Sequence, residues 1–147
     1  MKGEFNLETS LGYLLGRTQA SMKMSFNRAI KEAGIDATAE QWGLLNIIKA
    51  APGIIQSDLA ERSIKDKTNV TRMLDVLEKN GCIERARDTR DRRAYRVFIT
   101  GKGTALLRRL VPLAVRTNEE AARGLGAKEI KALTDILAIL YHNTKGG

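Results

Sequence analysis

A mainly α-helical fold carrying one small β-hairpin is predicted for this 147-residue chain. Three observations point to it. Apolar residues recur at helical spacing over most of the length. One stretch, Tyr95-Arg96-Val97-Phe98-Ile99, switches to period-2 alternation and reads as a hairpin arm, with Cys82 to Arg87 supplying the other. Between the arms lies a loop crowded with guanidinium groups: Arg90, Arg92, Arg93 and, at its end, Arg96, set against only Asp88 and Asp91. Such a loop repels itself unless it meets an anion, and a phosphate backbone is the most available polyanion. A basic hairpin tip of this kind is the wing of a winged helix.

The elements follow in order. Leu7, Leu11, Leu14 and Leu15, then Met22, Phe26 and Ile30, predict a first helix from about Leu7 to Ala33, with Gly34 as its C-cap. Thr38-Ala39-Glu40-Gln41 is a capping box, a threonine with glutamine three residues on. It opens a second helix from about Ala39 to Ala50, which Ala51-Pro52-Gly53 breaks. A short third helix is expected from about Ser57 to Arg62, then a turn at Ile64-Lys65-Asp66. Asp66 would cap a fourth helix that turns Val70, Met73, Leu74 and Leu77 inward and stops at Asn80-Gly81. A helix, a tight turn and a second helix form a helix-turn-helix.

After the hairpin, Thr100-Gly101-Lys102-Gly103 opens another long helix, in which Pro112 predicts a bend or local break. Gly124-Leu125-Gly126 interrupts the pattern. Ile130, Leu133, Leu137 and Leu140 then give the last helix a coiled-coil-like seam. One domain over residues 1–147 is expected, with the winged lobe at about 38–100 and dimerisation helices at about 1–34 and 101–147.

Composition narrows the function classes. Hydrophobic residues at 43% and charged residues at 29% are globular values, and the net charge of +8 favours an anionic partner. The basic residues cluster in a polar hairpin rather than opposite an apolar helical stripe, which argues against a membrane surface. No stretch approaches the roughly 18 apolar residues of a membrane span, and no signal-peptide core is seen. The lone cysteine, Cys82, rules out an internal disulfide and fits a reducing compartment, so the expected location is the cytoplasm. One cysteine and one histidine leave no soft-ligand set for zinc, and no metal or other cofactor is expected.

On the fourth helix, Lys67, Thr68, Asn69, Thr71, Arg72 and Asp75 remain on the outer face. Residues at the start of the second helix of a helix-turn-helix reach base edges. Arginine bonds guanine bidentately and asparagine bonds adenine, which makes Arg72 and Asn69 the base-reading candidates. Lys67, Thr68 and Thr71 suit phosphates or thymine methyl groups. Arg90, Asp91, Arg92 and Arg93 complete the candidate DNA contacts.

In Leu59-Ala60-Glu61, Val70-Thr71-Arg72, Leu77-Glu78-Lys79-Asn80-Gly81 and Asp91-Arg92-Arg93 running to Val97-Phe98-Ile99-Thr100-Gly101-Lys102-Gly103, the sequence resembles the multiple-antibiotic-resistance regulator (MarR) family of winged-helix transcription factors. The resemblance covers nearly the whole chain. It implies a homodimer whose first and last two helices interdigitate, with two winged lobes on a pseudo-palindromic operator. It also implies that Arg93 enters the minor groove and that Asp91 orients it. A narrow A·T groove has enhanced negative potential, and a neighbouring carboxylate fixes a guanidinium's geometry. Redox-sensing members carry a cysteine in the first helix, and this chain has none there. Met22, Phe26 and Trp42, with Tyr13 and Met24, would line a pocket for a small aromatic or anionic effector, although methionines at helical spacing also serve as core packing.

The reading is therefore a sequence-specific transcriptional regulator, a ligand-responsive repressor acting as a homodimer. The alternative is an architectural protein that binds nucleic acid with little sequence preference, and the specificity ratio at fixed salt separates the two. An enzyme is not expected, since no nucleophile elbow, phosphate-cradling glycine loop or carboxylate pair in an evident cleft occurs.

Overall fold

The computed structural model describes residues 3–63 and 67–146. Among the described residues, six α-helices run α1 (Leu11–Glu32), α2 (Ala39–Ala50), α3 (Gln56–Arg62), α4 (Lys67–Lys79), α5 (Gly101–Ala121) and α6 (Ala127–Thr144). Three strands, β1 (Ile54–Ile55), β2 (Ile83–Arg87) and β3 (Tyr95–Ile99), form an antiparallel sheet in the order β1-β3-β2. Thus the fold is mainly α with a winged helix-turn-helix, as expected. The turn at Ile64-Lys65-Asp66 and the Asp66 cap lie outside the described residues.

Several boundaries differ from expectation. The first helix is divided: a 3-10 turn at Leu7–Thr9 precedes α1, and Asn6 accepts the Glu8 N–H at 3.0 Å to start it. Ser10 is extended and breaks the run, so the leucine spacing continues across two elements. The third helix begins one residue early, at Gln56. Strand β1 was not anticipated, because two residues carry no periodicity. Around Pro112 no break occurs, and α5 is helical throughout. Pro112 lies on the exposed side of α5, where solvent reaches the carbonyl deprived of its donor.

The caps follow the sequence signals. Thr38 Oγ1 accepts the Gln41 N–H and Gln41 Oε1 accepts the Thr38 N–H, both at 3.1 Å. Helix α4 ends at Gly81 (φ +79°), where the Gly81 and Cys82 amides close onto the carbonyls of Glu78 and Leu77. Gly103 in the first turn of α5 is required by proximity: a Cβ there would lie 2.2 Å from the Cys82 carbonyl oxygen. That close approach seats α5 against the α4–β2 junction.

The lobe closes around Leu44, Leu45, Ile48, Leu59, Val70, Leu74, Leu77, Ile83 and Val97, with Met73 packed at the edge. Cys82, 4% exposed, belongs to the same core as a small buried hydrophobe. A second cluster, Phe26, Ile30, Ile35 and Leu110, joins α1 to α5, and Trp42 and Leu106 bridge the two. Among the described residues, no helix is long and apolar enough to cross a membrane.

Candidate nucleic-acid interface

Helix α4 divides its faces sharply. Val70, Leu74 and Leu77 are buried, whereas Lys67, Thr68, Asn69, Thr71 and Arg72 are all exposed. The β2–β3 hairpin registers Ile83 opposite Ile99 and Arg87 opposite Tyr95, and so projects residues 88–94 as the wing loop. Arg90, Asp91, Arg92 and Arg93 are exposed on that loop.

One surface groove of about 510 Å³ brings helix and wing together. Lys67 and Thr71 of α4 line it with Asp91, Arg93 and Tyr95 of the wing and with Gln56 and Ser57 of α3. The Thr71 hydroxyl donates to the Lys67 carbonyl at 3.0 Å. Thr68, Asn69 and Arg72 of α4 and Arg90 and Arg92 of the loop do not line that groove.

Within the wing the arginines divide into two groups. Arg93 is 93% exposed, yet Asp91 Oδ1 accepts its backbone N–H at 3.0 Å and its Nε–H at 3.4 Å. Arg96 instead turns back onto the fold. Its Nε donates to Asp88 Oδ1 at 2.7 Å and its Nη1 to the Gly53 carbonyl at 2.9 Å. Asp88 is only 7% exposed, and its other carboxylate oxygen accepts the Asp91 N–H. The Arg96 hydrogen bond above all, supported by the Asp91 amide, holds the Asp88 carboxyl below the usual carboxylate range. Arg96 is thus neutralised locally and fastens the wing's base to the α2–β1 turn.

A second arginine with a structural role escaped the sequence reading. Arg85 of β2 donates through Nη2 to Asp75 at 2.6 Å and to Glu78 at 2.9 Å, and through Nη1 to Gln56 at 3.4 Å. Its hydrogen bond to Glu78 is the main cause that lowers that carboxyl's pKa. One strand residue therefore clamps the wing to α3 and α4. The available signal was Asp75 and Glu78 themselves, three residues apart on one edge of α4 and in want of a cation.

The predicted pocket residues also converge. A cavity of about 760 Å³ between α1, α2 and α5 is lined by Met22 and Phe26 of α1, Trp42 of α2 and Ala114 of α5. Phe26 and Trp42 meet edge to face, with centroids 5.8 Å apart. Tyr13 and Met24 are not in the lining. Met24 is 64% exposed, and the Arg17 guanidinium sits over the Tyr13 ring.

Comparisons with known proteins agree with this geometry. Residues 37–95, the winged lobe, match the model of the MarR family. The chain is similar over 96% of its length to the PcaV transcriptional regulator from Streptomyces coelicolor, solved in complex with its natural ligand. Identity is 25%, TM-score 0.82, and 98% of that chain is covered. A mutant MarR from E. coli complexed with operator DNA matches at 27% identity and TM-score 0.82, over 95% of this chain and 99% of that one. BpsR from Bordetella bronchiseptica, described for regulation of its DNA binding by 6-hydroxynicotinic acid, shares the fold at 23% identity and TM-score 0.84, over 94% and 97% of the two chains. The winged lobe thus matches the MarR-family model, and over nearly its whole length the chain is similar to solved transcriptional regulators that include a MarR on operator DNA.

Proposed function

We propose that the protein is a ligand-responsive transcriptional regulator that binds a pseudo-palindromic duplex as a homodimer, and that it has no enzymatic role. The observation that carries this reading is the shared groove, where the first turn of α4 and the wing tip face one ligand space. Helix α4 enters the major groove, with Arg72 and Asn69 at base edges and Lys67, Thr68 and Thr71 at phosphates and thymine methyls. The wing lies over the adjacent backbone. Arg93, oriented by Asp91, reaches the minor groove, and Arg90 and Arg92 grip phosphate. The likeness to a MarR solved on operator DNA supports the mode of docking.

The cavity beside Phe26 and Trp42 takes a small, largely apolar or aromatic anion, which weakens DNA binding by altering the spacing of the two α4 helices. Its support is the convergence of the three predicted residues, together with a relative solved with its natural ligand.

Selection from random duplex DNA tests the reading. The expected product is a two-fold sequence with half-sites centred about 10 base pairs apart. Enrichment of no sequence over bulk DNA at fixed salt would replace it with low-specificity architectural binding, which basic charge alone allows.

A further inference from the structure

Three arginines stand on the arms of the hairpin, and their surroundings differ. Arg85 is held by Asp75 and Glu78, and Arg96 by Asp88, so each is neutralised within the fold. Arg87, the last residue of β2, meets no carboxylate among the described residues. It is exposed, and its guanidinium lies over the Tyr95 ring, 5.7 Å from the centroid. A ring face orients a guanidinium without cancelling its charge.

Arg85 pairs across the hairpin with Val97, and two residues along Arg87 pairs with Tyr95. Side chains two apart share one face of a strand. That face is turned to the helices, since Arg85 on it reaches α3 and α4 and Val97 is buried in the lobe's core. Tyr95 stands beyond the end of that core, 38% exposed. It lines the groove between wing and α4 with Lys67, Thr71 and Arg93. Among the described residues its hydroxyl has no hydrogen-bond partner.

We propose that Arg87 and Tyr95 form a paired seat for the DNA phosphate backbone, at the crossing between the major groove taken by α4 and the minor groove taken by Arg93. This deepens the docking proposed above and rests on it. One backbone strand separates the two grooves, and it therefore passes over the space between α4 and the wing. There the Tyr95 hydroxyl donates to a phosphate oxygen. Arg87, aligned by the ring, brings further donors and the charge. Phosphate oxygens carry no base identity, so the seat fixes the register of wing against helix and leaves sequence choice to α4 and Arg93.

The test uses the full-length protein and its selected operator, with affinity measured over a series of salt concentrations. Arg123→Gln, in the turn between the stem helices α5 and α6, controls for the loss of one charge. Arg87→Gln should weaken every single-base operator variant by the same factor. It should also lower the slope of log Kd against log salt by about two, one phosphate in each half-site. Tyr95→Phe, which keeps the ring under Arg87, should weaken binding several-fold with the slope unchanged. Arg87→Gln should cost less in a Tyr95→Leu background than in the native one, because the guanidinium there is no longer aligned. A slope for Arg87→Gln equal to that of Arg123→Gln would overturn the seat, and so would a relaxed preference at one base position. Strictly additive losses at the two residues would overturn their pairing. An operator affinity indifferent to both Arg72→Ala and Arg93→Ala would overturn the docking mode itself, and the seat with it.

Discussion

Leu45, Ile48, Leu59, Val70, Leu74 and Val97 of the winged lobe have no exposed surface, whereas α6 buries none of its 18 residues. The contrast is one of pattern. Helix α4 shows a single apolar stripe opposite a polar face, which one neighbouring core satisfies. On α6 the expected seam of Ile130, Leu133, Leu137 and Leu140 is widened by Ile136 at 53% and Ile139 at 59% exposure. Leu7, Leu11, Val111 and Val115 add to the uncovered surface at the other stem elements. Apolar area left in water costs about 25 cal/mol per Å². The lobe is complete within one chain, and the stem, in the reading proposed above, is completed by a second copy.

Charge on α6 therefore gives the largest expected effect. Leu133→Glu with Leu137→Glu should convert a dimer at micromolar concentration into monomer or unfolded chain, seen by sedimentation and circular dichroism. A folded dimer unaffected by two buried charges would end the proposed role of α6. Within the lobe the expected loss is smaller and independent of protein concentration. Leu74→Ala should cost about 2–5 kcal/mol in denaturant unfolding. Gly103→Ala should also destabilise, since its methyl meets the Cys82 carbonyl rather than a flexible side chain. If Leu74→Ala changed only the dimer equilibrium, the division into a self-sufficient lobe and a dependent stem would fail.

The same division explains what was legible in the sequence. Caps and stripes are local, so Thr38–Gln41, the inward face of α4 and both hairpin arms could be read directly. Contacts between segments distant in sequence could not. Arg96 sits within a run of arginines that looks uniformly poised for phosphate, yet the return of β3 beside the α2–β1 turn places it on Asp88 and Gly53. Arg85 reads as one more basic residue until β2 packs along α4. Strand β1 exists only because Ile54 and Ile55 find Val97 and Arg96. At the candidate interface the residue types were readable from one helix and one loop, whereas their convergence on a shared groove required the fold.

The wing and α4 can be separated at the level of single contacts. Arg72→Ala should cost about 1–3 kcal/mol per half-site and relax preference at one base position. Arg93→Ala should instead weaken all A·T-flanked sites with little change at the central bases, because a groove-width reader sees no more than A·T against G·C. Asp91→Ala should give a milder copy of Arg93→Ala. Binding to a panel of single-base operator variants at one salt concentration measures all three. Identical, sequence-independent losses would make both arginines phosphate contacts.

The smallest expected effect belongs to the wing's base and concerns acid. Asp88 has its pKa lowered in the folded protein, chiefly by the Arg96 hydrogen bond. A depressed carboxyl binds fewer protons when native than when unfolded, so stability must rise with pH across the window between its two pKa values. The contribution is fully present above the ordinary carboxylate value of about 4. It declines as pH falls through that value and is gone below the depressed one. Glu78, lowered by Arg85, acts in the same direction, so the two must be separated by mutation. Asp88→Asn should flatten part of the acid limb of a stability–pH profile below about pH 5 and lower the neutral plateau by the same amount. The double variant with Glu78→Gln should flatten the limb further. An acid limb unchanged by Asp88→Asn would mean that Arg96 holds the wing through Gly53 alone, and the wing would then be anchored by a backbone carbonyl rather than by its own charge.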